Sequence, residues 1–202
     1  MRARLAEFAE AAAATGFHAL DERGLSPERY RADMERYFAE GALTHLAWEK
    51  PVTCAVPPSD KYPVGGPSAL TDGLKGAEDY DILWASFEGE ELEATIDLGE
   101  VRPLRSVRTD FLQNINAWIW VPAEVAFSVS SDGVDFREIG LARAKLDPRR
   151  EGAFVETFAA AAPPGLAARF VRVATKSFLH CPDWHKGAGG KAWIFIDEIV
   201  VD

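Results

Sequence analysis

The sequence predicts an all-β fold, a sandwich or a barrel, and two observations carry that prediction. Apolar and polar residues alternate over residues 92–98. Because successive strand residues point to opposite faces, this pattern predicts a strand with one face in water. The second observation is Asp132-Gly133, which separates two further strand-like runs. Gly accepts positive φ without a steric cost, so Asp-Gly is a strong hairpin signal, and several short strands with turns between them are typical of sandwiches and barrels.

Size and charge narrow the classes of function. The 202 residues suffice for one sandwich with an appendage of a few tens of residues. The formal net charge of -10 predicts no nucleic-acid partner, because an acidic surface repels phosphate. No apolar run is long enough to span a bilayer, so we expect no membrane span. Glu7 and Glu10 fall where the apolar part of a signal peptide would lie, so we expect no export signal in these residues.

The two cysteines leave two states open. Cys54 and Cys181 lie far apart in the sequence, and either a disulfide or two buried free thiols would fit. The chain has no Cys-x-x-Cys pair and no His-x-x-x-His spacing. A zinc site is therefore not supported.

Residues 1–42 are expected to form a short helical extension, or to be the remnant of a preceding domain. An alanine-rich stretch with apolar residues at helical spacing predicts a first helix. Ser26-Pro27 predicts the start of a second helix, with Ser26 as its N-cap. Two short helices do not make a core alone, so residues 43–202 are expected to form the sandwich.

Apolar runs along residues 43–202 predict its strands in order. The last run is apolar on both sides, which predicts a closing strand buried on both faces. Prolines and a Gly-Gly pair exclude regular structure from residues 56–67. Two loops stand out: residues 113–122 contain two tryptophans beside amides, and residues 181–191 contain Trp184 beside His185 and Lys186. The predicted strands are 48–55, 82–87, 92–98, 101–112, 125–130, 137–143, 153–158, 169–176 and 192–201.

Four stretches, taken in order, resemble the F5/8 type C (discoidin-like) domain. They are Leu70-Thr71-Asp72-Gly73, residues 92–99, residues 127–133 with Ser-Ser-Asp-Gly at their end, and residues 168–173. Within that family, residues 181–193 resemble modules appended to the C-terminal side of bacterial β-N-acetylhexosaminidases. The resemblance covers residues 48–202.

This resemblance implies a galactose-binding-like jelly-roll β-sandwich, here with a short N-terminal helical extension. It implies a non-catalytic module that often binds carbohydrate and frequently holds one structural calcium ion. It also points to a location outside the cell or in the periplasm.

Catalysis is not expected from this chain. A hexosaminidase barrel takes about 250 residues, and its paired carboxylates need that scaffold. Cys181 or Ser177 beside His180 or His185 could be drawn as a nucleophile–base pair, but the sequence specifies no oxyanion donor and no orienting acid. The remaining acidic residues are interpreted as a solvated charge cluster: Asp79, Asp81, Glu88, Glu90 and Glu91.

For calcium, the resemblance points to Asp72 in the turn and Glu198 on the closing strand. Calcium takes about six to eight oxygens, and backbone carbonyls of residues 69–77 would complete the shell. The sequence departs from the family pattern at Leu74 and Ala77, where an Asn or Asp and a Thr are common ligands. The alternative is that Asp72 makes an Asx-type turn and Glu198 is an exposed strand residue.

Loop aromatics beside amides and cations are the signal for a sugar site. Sugar C–H faces stack on aromatic rings, while hydroxyls need fixed donors and acceptors beside them. In the alternative interpretation the tryptophans are mostly core, as expected for Trp118 and Trp193, and His185 only ties down its loop. The predicted carbohydrate-binding residues are Asn114, Asn116, Trp120, Trp184, His185 and Lys186.

The first functional hypothesis is a carbohydrate-binding module that works beside a glycoside hydrolase. Its ligand would be a glycan containing N-acetylhexosamine or galactose, bound weakly, on the order of 0.1 to 1 mM, at a shallow loop site. The second is a structural or interaction domain that packs on a neighbouring catalytic domain and has no sugar site. A small independent enzyme is a third, weaker hypothesis.

Overall fold

A computed structural model describes residues 43–62, 66–76, 80 and 83–202. The predicted helical extension, residues 1–42, lies outside the described residues, and so do Ala77, Asp79 and Asp81. The strands of the described part are β1 (Val52–Cys54), β2 (Ala85–Glu88), β3 (Glu93–Pro103), β4 (Ser106–Gln113), β5 (Glu124–Ser130), β6 (Arg137–Arg143), β7 (Phe154–Ala161), β8 (Ala167–Lys176) and β9 (Trp193–Val201). Two short 3-10 helices, Gly66–Leu70 and Ile115–Ala117, complete the regular structure of these residues.

The strands form two antiparallel sheets that pack face to face. One sheet has the order β1-β3-β8-β5-β6 and the other the order β2-β9-β4-β7. Strands that are neighbours in a sheet are mostly distant in sequence, because the chain passes repeatedly between the sheets. The predicted fold class, a jelly-roll β-sandwich, is confirmed for the described residues.

The core between the sheets follows from the alternation seen in the sequence. Ala94, Ile96 and Leu98 of β3 are almost fully buried, while Glu93, Thr95 and Asp97 between them face outward. The facing sheet contributes inward residues with the same period, which include these four: Phe111, Phe158, Ile194 and Ile196. Removing this apolar surface from water is the main stabilising contribution to such a sandwich.

The Asp132-Gly133 hairpin is confirmed. Strands β5 and β6 pair in antiparallel register on either side of it, and Gly133 has φ +80. The carboxylate of Asp132 accepts backbone N–H groups of Val134 at 2.8 Å and Asp135 at 3.0 Å. These hydrogen bonds, with one from the Ser130 hydroxyl, lower the pKa of Asp132 to about 2.

Several predicted strand bounds are wrong: residues 101–103 belong to β3 and not to the next strand, which begins at Ser106, and β1 is shorter than predicted. Gly99, which has φ +89, does not end β3; the strand continues to Pro103 past a register shift in its pairing with β8. A glycine with positive φ can sit inside such an irregularity, so the strand bends there instead of stopping. At the start of the sandwich, β1 has only three residues, because residues 46–49 form a turn in which Glu49 has φ +56.

Strand β9 is buried on both faces, as predicted. Its inward side chains belong to the core between the sheets. Its outward side chains, Trp193 and Phe195, pack with Trp84 and Leu112 in a second apolar cluster, which Tyr62 helps to cover. The segment before β2 therefore covers the outer face of the four-stranded sheet.

A β-bulge interrupts β9 at Asp197 and Glu198. In the pairing with β4, Thr109 lies opposite Ile199 and Phe111 opposite Ile196, so β9 has one residue more than β4 over this stretch. The bulge lets both acidic side chains reach the loop of residues 72–76. The carboxylate of Asp197 accepts the N–H of Gly76 at 2.7 Å.

Among the described residues, no helix is long and apolar enough to cross a membrane.

The ion pair between Asp97 and Arg169 yields a test of the β3–β8 pairing. Arg169 donates two hydrogen bonds of 2.7 Å to Asp97, and chiefly for this reason the pKa of Asp97 falls to about 2. A carboxyl group with a lowered pKa stabilises the fold above its ordinary pKa, and that contribution is lost as the pH falls towards 2. Asp97→Asn should therefore lower the melting temperature by a few degrees at pH 7, and the deficit should shrink between pH 4 and pH 2.

Thermal unfolding followed by circular dichroism measures this difference. Asp135→Asn is the matched control, because Asp135 is exposed and its carboxylate has no partner among the described residues. An Asp97→Asn deficit that stays the same at every pH would contradict the assignment.

Candidate functional site

Two loops at one end of the sandwich bring together a group of rings that we call the aromatic cluster: Trp118, Trp120, Trp184 and His185. The rings of Trp118 and Trp120 come from the loop after β4, and the other two from the loop between β8 and β9. The ring centroid of His185 lies 6.5 Å from Trp118, 5.0 Å from Trp120 and 6.0 Å from Trp184, with the ring planes near perpendicular. Such edge-to-face packing is favourable for aromatic rings.

Trp118 lies at the surface of the cluster, with 37% of its area exposed. Part of its ring lies against glycine backbone. A Cβ added at Gly187 would be 2.6 Å from the Trp118 ring, and one at Gly190 would be 2.9 Å from it. Only glycine allows this approach, so the two glycines hold the ring in place and leave its remaining surface to solvent.

The exposure of Trp118 and Trp120 is the reverse of what the sequence predicts. Trp118 was expected in the core, and this is wrong, because its left-handed backbone (φ 65, ψ 26) after Ile115–Ala117 breaks the alternation of a strand. Trp120, predicted to contact sugar, is 1% exposed, and its indole N–H donates to the Pro148 carbonyl at 3.0 Å. With so little of its ring exposed, Trp120 supports the cluster from below and cannot stack on a sugar.

His185 ties down its loop, as the alternative interpretation expected. It is 8% exposed, and its Nδ1 accepts the N–H of Gly187 at 3.1 Å. The same loop closes on itself where the N–H of Cys181 donates to the Gly190 carbonyl at 2.7 Å. Trp184 and Lys186, on either side of His185, are exposed. These neighbours are therefore available to a ligand, while His185 positions them.

The two predicted asparagines lie in the same loop as Trp118. The backbone of Asn114 bonds to Ile119, and its side chain is half-buried, whereas Asn116 is exposed. Asn116 is therefore the more accessible amide.

A third loop, between β6 and β7, brings Arg149 to the cluster, and sequence reasoning missed it. The Arg149 guanidinium lies 4.8 Å from the centre of the Trp184 ring. Gln113, which is fully buried, donates to the carbonyls of Asp147 at 2.9 Å and Arg150 at 3.3 Å and so holds this loop. The Trp120 indole holds it as well, through the Pro148 carbonyl. No local pattern marks Arg149, because its partner ring comes from a distant part of the sequence.

Both cysteines are free thiols, so of the two open states the disulfide is excluded. Burial raises the pKa of Cys54 to about 11 and also raises the pKa of Cys181. A raised pKa keeps a thiol protonated and unreactive at neutral pH. Cys181 is thus part of the loop's apolar support.

The predicted calcium site is the corner where the turn at Asp72 meets Glu198 of β9. There, a histidine bonds to Glu198. The Nε2 of His45 lies 2.7 Å from Oε1 of Glu198, and both side chains are buried. His45 Nδ1 accepts backbone N–H groups from Ala47 at 3.2 Å and Val201 at 3.4 Å, so the ring proton is on Nε2 and is donated to Glu198. The interpretation of Glu198 as an exposed strand residue is wrong, since it is 1% exposed.

The groups around Glu198 do not fit a calcium shell. Backbone N–H groups of Gly73 and Asp72, rather than carbonyl oxygens, face its carboxylate and partly offset the rise in its pKa that burial causes. Its Oε2 has no hydrogen-bond partner among the described residues. Asp72 Oδ1 accepts the N–H of Leu74 at 2.9 Å, the Asx-type contact of the alternative interpretation. Calcium needs about six oxygens or more.

Among the described residues, no group of three or more His, Cys, Asp or Glu side chains could hold a metal ion. Calcium stays an untested prediction of the resemblance, and the described groups around Glu198 favour the alternative, in which side chains hold this corner.

Two of the described acidic residues before β3, Glu88 and Glu91, are bonded to neighbours, while Glu90 is exposed. Glu88 pairs with Lys61 at 2.5 Å. Glu91 accepts hydrogen bonds of 3.0 Å from the Thr175 hydroxyl and the Ser177 N–H, which join the β2–β3 loop to the end of β8. Their contacts are structural.

A groove of about 400 Å³ lies beside β1, and none of the predicted carbohydrate-binding residues lines it. It is open to solvent and mostly bordered by small and proline side chains, and no aromatic ring lines it. We therefore locate the candidate site at the aromatic cluster. The groove is lined by Glu49, Lys50, Pro51, Val52, Pro67, Ser68 and Thr71.

Of the comparisons with known proteins, only the one with solved structures found matches. No protein-family model matches this chain, and no curated protein matches it significantly. The similar solved structures include CpGH89CBM32-5 from Clostridium perfringens in complex with GalNAc-β-1,3-galactose, at 16% identity and TM-score 0.49, covering 78% of this chain and 99% of that one. Another is chitosan-binding module 1 of a chitosanase/glucanase from Paenibacillus sp. IK-5, at 16% identity and TM-score 0.48, covering 79% and 99%. With TM-scores under 0.5 these similarities carry no argument, and the fold rests on the sheets described above.

The His45–Glu198 contact predicts that a side chain, and not an ion, holds this corner. His45→Ala should destabilise the fold by about 2 kcal/mol or more, because it leaves a buried carboxylate without its N–H donor. A chelator should leave the melting temperature of the unaltered protein unchanged. Differential scanning calorimetry measures both effects.

His180→Ala serves as the control, because His180 is exposed. If a chelator lowers the melting temperature, added calcium restores it and Asp72→Ala abolishes the difference, the calcium ion implied by the resemblance is present and our interpretation of the corner is wrong.

Proposed function

We propose that this domain is a non-catalytic carbohydrate-binding module whose ligand lies on the exposed rings of Trp118 and Trp184. The observation that carries the proposal is the packing of the Trp118 ring at the surface. Its ring packs on the backbone of Gly187 and Gly190 and still has 37% of its area exposed. A large apolar ring held rigidly at the surface loses little conformational freedom when a ligand binds.

The chemistry around the rings suits a saccharide. Sugar C–H faces stack on aromatic rings, and their hydroxyls need fixed polar partners nearby. Exposed Asn116 and Lys186 lie on the same two loops, and Arg149 lies against Trp184. The number of contacts on an open surface is small, so we expect weak binding, on the order of 0.1 to 1 mM.

Asp147 and Asp183, two carboxylates on the loops around the cluster, do not support hydrolysis. Both side chains are exposed. Glycoside hydrolysis uses a pair of carboxylates in a site that excludes water, and side chains in open solvent do not provide one. We therefore assign binding and not catalysis to this site.

The wider setting is part of the proposal. Since residues 181–193 resemble modules of bacterial β-N-acetylhexosaminidases, we propose that the domain works beside a glycoside hydrolase, outside the cell or in the periplasm, on glycans that contain N-acetylhexosamine or galactose. Binding would keep the catalytic domain close to its substrate and raise the local substrate concentration.

The second candidate is an interaction domain that uses the same rings against a neighbouring catalytic domain. The exposure of two tryptophans favours it, because protein interfaces are enriched in Trp. In that case the cluster would bind protein and have no affinity for sugar.

Trp118→Ala tests the site directly. The variant should lose about tenfold or more in affinity, which corresponds to roughly 1.4 kcal/mol of stacking. Titration calorimetry or NMR with N-acetylglucosamine, N-acetylgalactosamine and galactose oligosaccharides measures the loss. Trp48→Ala is the matched control, because Trp48 is equally exposed, at 39%, in the turn of residues 46–49.

The two candidates separate on this experiment. Sugar binding by the unaltered protein that Trp118→Ala abolishes and Trp48→Ala preserves supports the module. Absence of binding to any of the three sugars, with Trp118→Ala weakening the association with a catalytic domain, supports the interaction domain.

A further inference from the structure

We propose that the saccharide bound at the aromatic cluster is acidic, and that Arg149 binds a carboxylate of a uronic-acid residue beside the sugar on Trp118. The inference rests on the proposed function and adds the class of ligand. It begins from the guanidinium of Arg149, which lies 4.8 Å from the centre of the Trp184 ring.

Stacking leaves the hydrogen-bond donors of Arg149 available. A guanidinium that lies on an aromatic face uses its flat surface, while its N–H groups point outward in its own plane. Among the described residues, no carboxylate forms a salt bridge with Arg149, whereas Arg143 and Arg169 are paired with Glu124 and Asp97. Two parallel N–H groups of a guanidinium match the two oxygens of a carboxylate.

The loop that carries Arg149 is held before any ligand arrives. Buried Gln113 and Trp120 bind its carbonyl groups, at Asp147 and Pro148 respectively. The carboxylate of Asp147 accepts the backbone N–H of Arg149 at 2.8 Å, which fixes the turn. Buried side chains that hold an exposed arginine reduce the entropy lost on binding, which is a feature of a ligand site more than of a solvated surface charge.

The position of Arg149 is suited to a sugar chain that also contacts Trp118. The ring centroids of Trp118 and Trp184 both lie within 6.5 Å of the His185 centroid, at the same end of the sandwich. Trp118 and the Trp184–Arg149 pair are thus both neighbours of His185, and in this proposal a sugar chain on Trp118 extends past His185 to Arg149. Exposed Lys186 adds a second positive charge, while Asp183 on the same loop opposes it.

The net charge of the whole chain bears on how an acidic ligand could bind here. The net charge is -10, so an anionic ligand is repelled at long range and must be bound by local cations. Salt screens the charges on an exposed surface beyond about 10 Å at 0.1 M, so the preference for an acid depends on the contact with Arg149 itself.

The test compares each acidic oligosaccharide with its neutral methyl ester. The probes are tetrasaccharides of hyaluronan and of galacturonate, each with free or methyl-esterified carboxylates, together with galactose 6-sulfate as a sulfated sugar. For at least one pair the free acid should bind about tenfold more tightly than its ester at low salt, and the ratio should fall towards one at about 0.5 M salt.

Arg149→Gln should abolish the acid preference, so that this variant binds the acid and its ester with equal affinity. Arg150→Gln is the matched control, because Arg150 is in the same loop but lies on Phe154, at 3.7 Å from its ring. Trp118→Ala should weaken acid and ester alike.

The outcomes separate the inference from the proposed function. If acid and ester bind equally and Trp118→Ala abolishes both, the module stands and the acidic ligand is overturned. An equal loss of preference in Arg149→Gln and Arg150→Gln overturns the role of Arg149, and tighter binding of the sulfated sugar than of every uronate overturns the choice of carboxylate. If none of the probes binds the unaltered protein, the proposed function fails, and the inference fails with it.

Discussion

The burial of β9 on both faces is the constraint on which the rest of this structure depends. All nine residues from Trp193 to Val201 are buried. One side of the strand closes the core between the sheets, and the other is covered by the segment that precedes β2. A strand in this position cannot expose its side chains to water, so every polar group on it must find a partner within the protein.

The bulge at Asp197 and Glu198 shows how that requirement is met, except at Oε2 of Glu198, which has no hydrogen-bond partner among the described residues. Burial raises the pKa of Asp197 well above its ordinary range, and the N–H groups of Glu198 and Gly76 act in the opposite direction. Glu198 accepts the hydrogen bond of His45. The two buried carboxylates thereby connect Gly76 and His45, which precede β2, to the last strand. Lys75 and the Thr157 hydroxyl likewise converge on Asp110, which sits opposite the bulge.

The same strand organises the candidate site at its first residue. The N–H of Trp193 donates to the Trp118 carbonyl at 2.9 Å, and the N–H of Trp120 donates to the Trp193 carbonyl at 3.1 Å. These two bonds hold both tryptophans of the β4–β5 loop against the sandwich. Cys181 and Ala192 pack beneath Trp120. The exposed rings are thus mounted on the most buried strand of the fold, which suits a rigid binding surface.

The amino-acid sequence by itself determined the sandwich, the Asp-Gly hairpin and the burial of β9, because each of these depends on a periodic pattern or a turn residue that is local in the chain. It also singled out the loop of Trp184 and His185. Only the tertiary structure decided that Trp118 is exposed and Trp120 buried, that Arg149 joins the cluster, and that His45 reaches Glu198. These features depend on one backbone angle or on contacts between residues far apart in sequence. A local sequence pattern cannot identify the neighbours that bury or expose such a side chain.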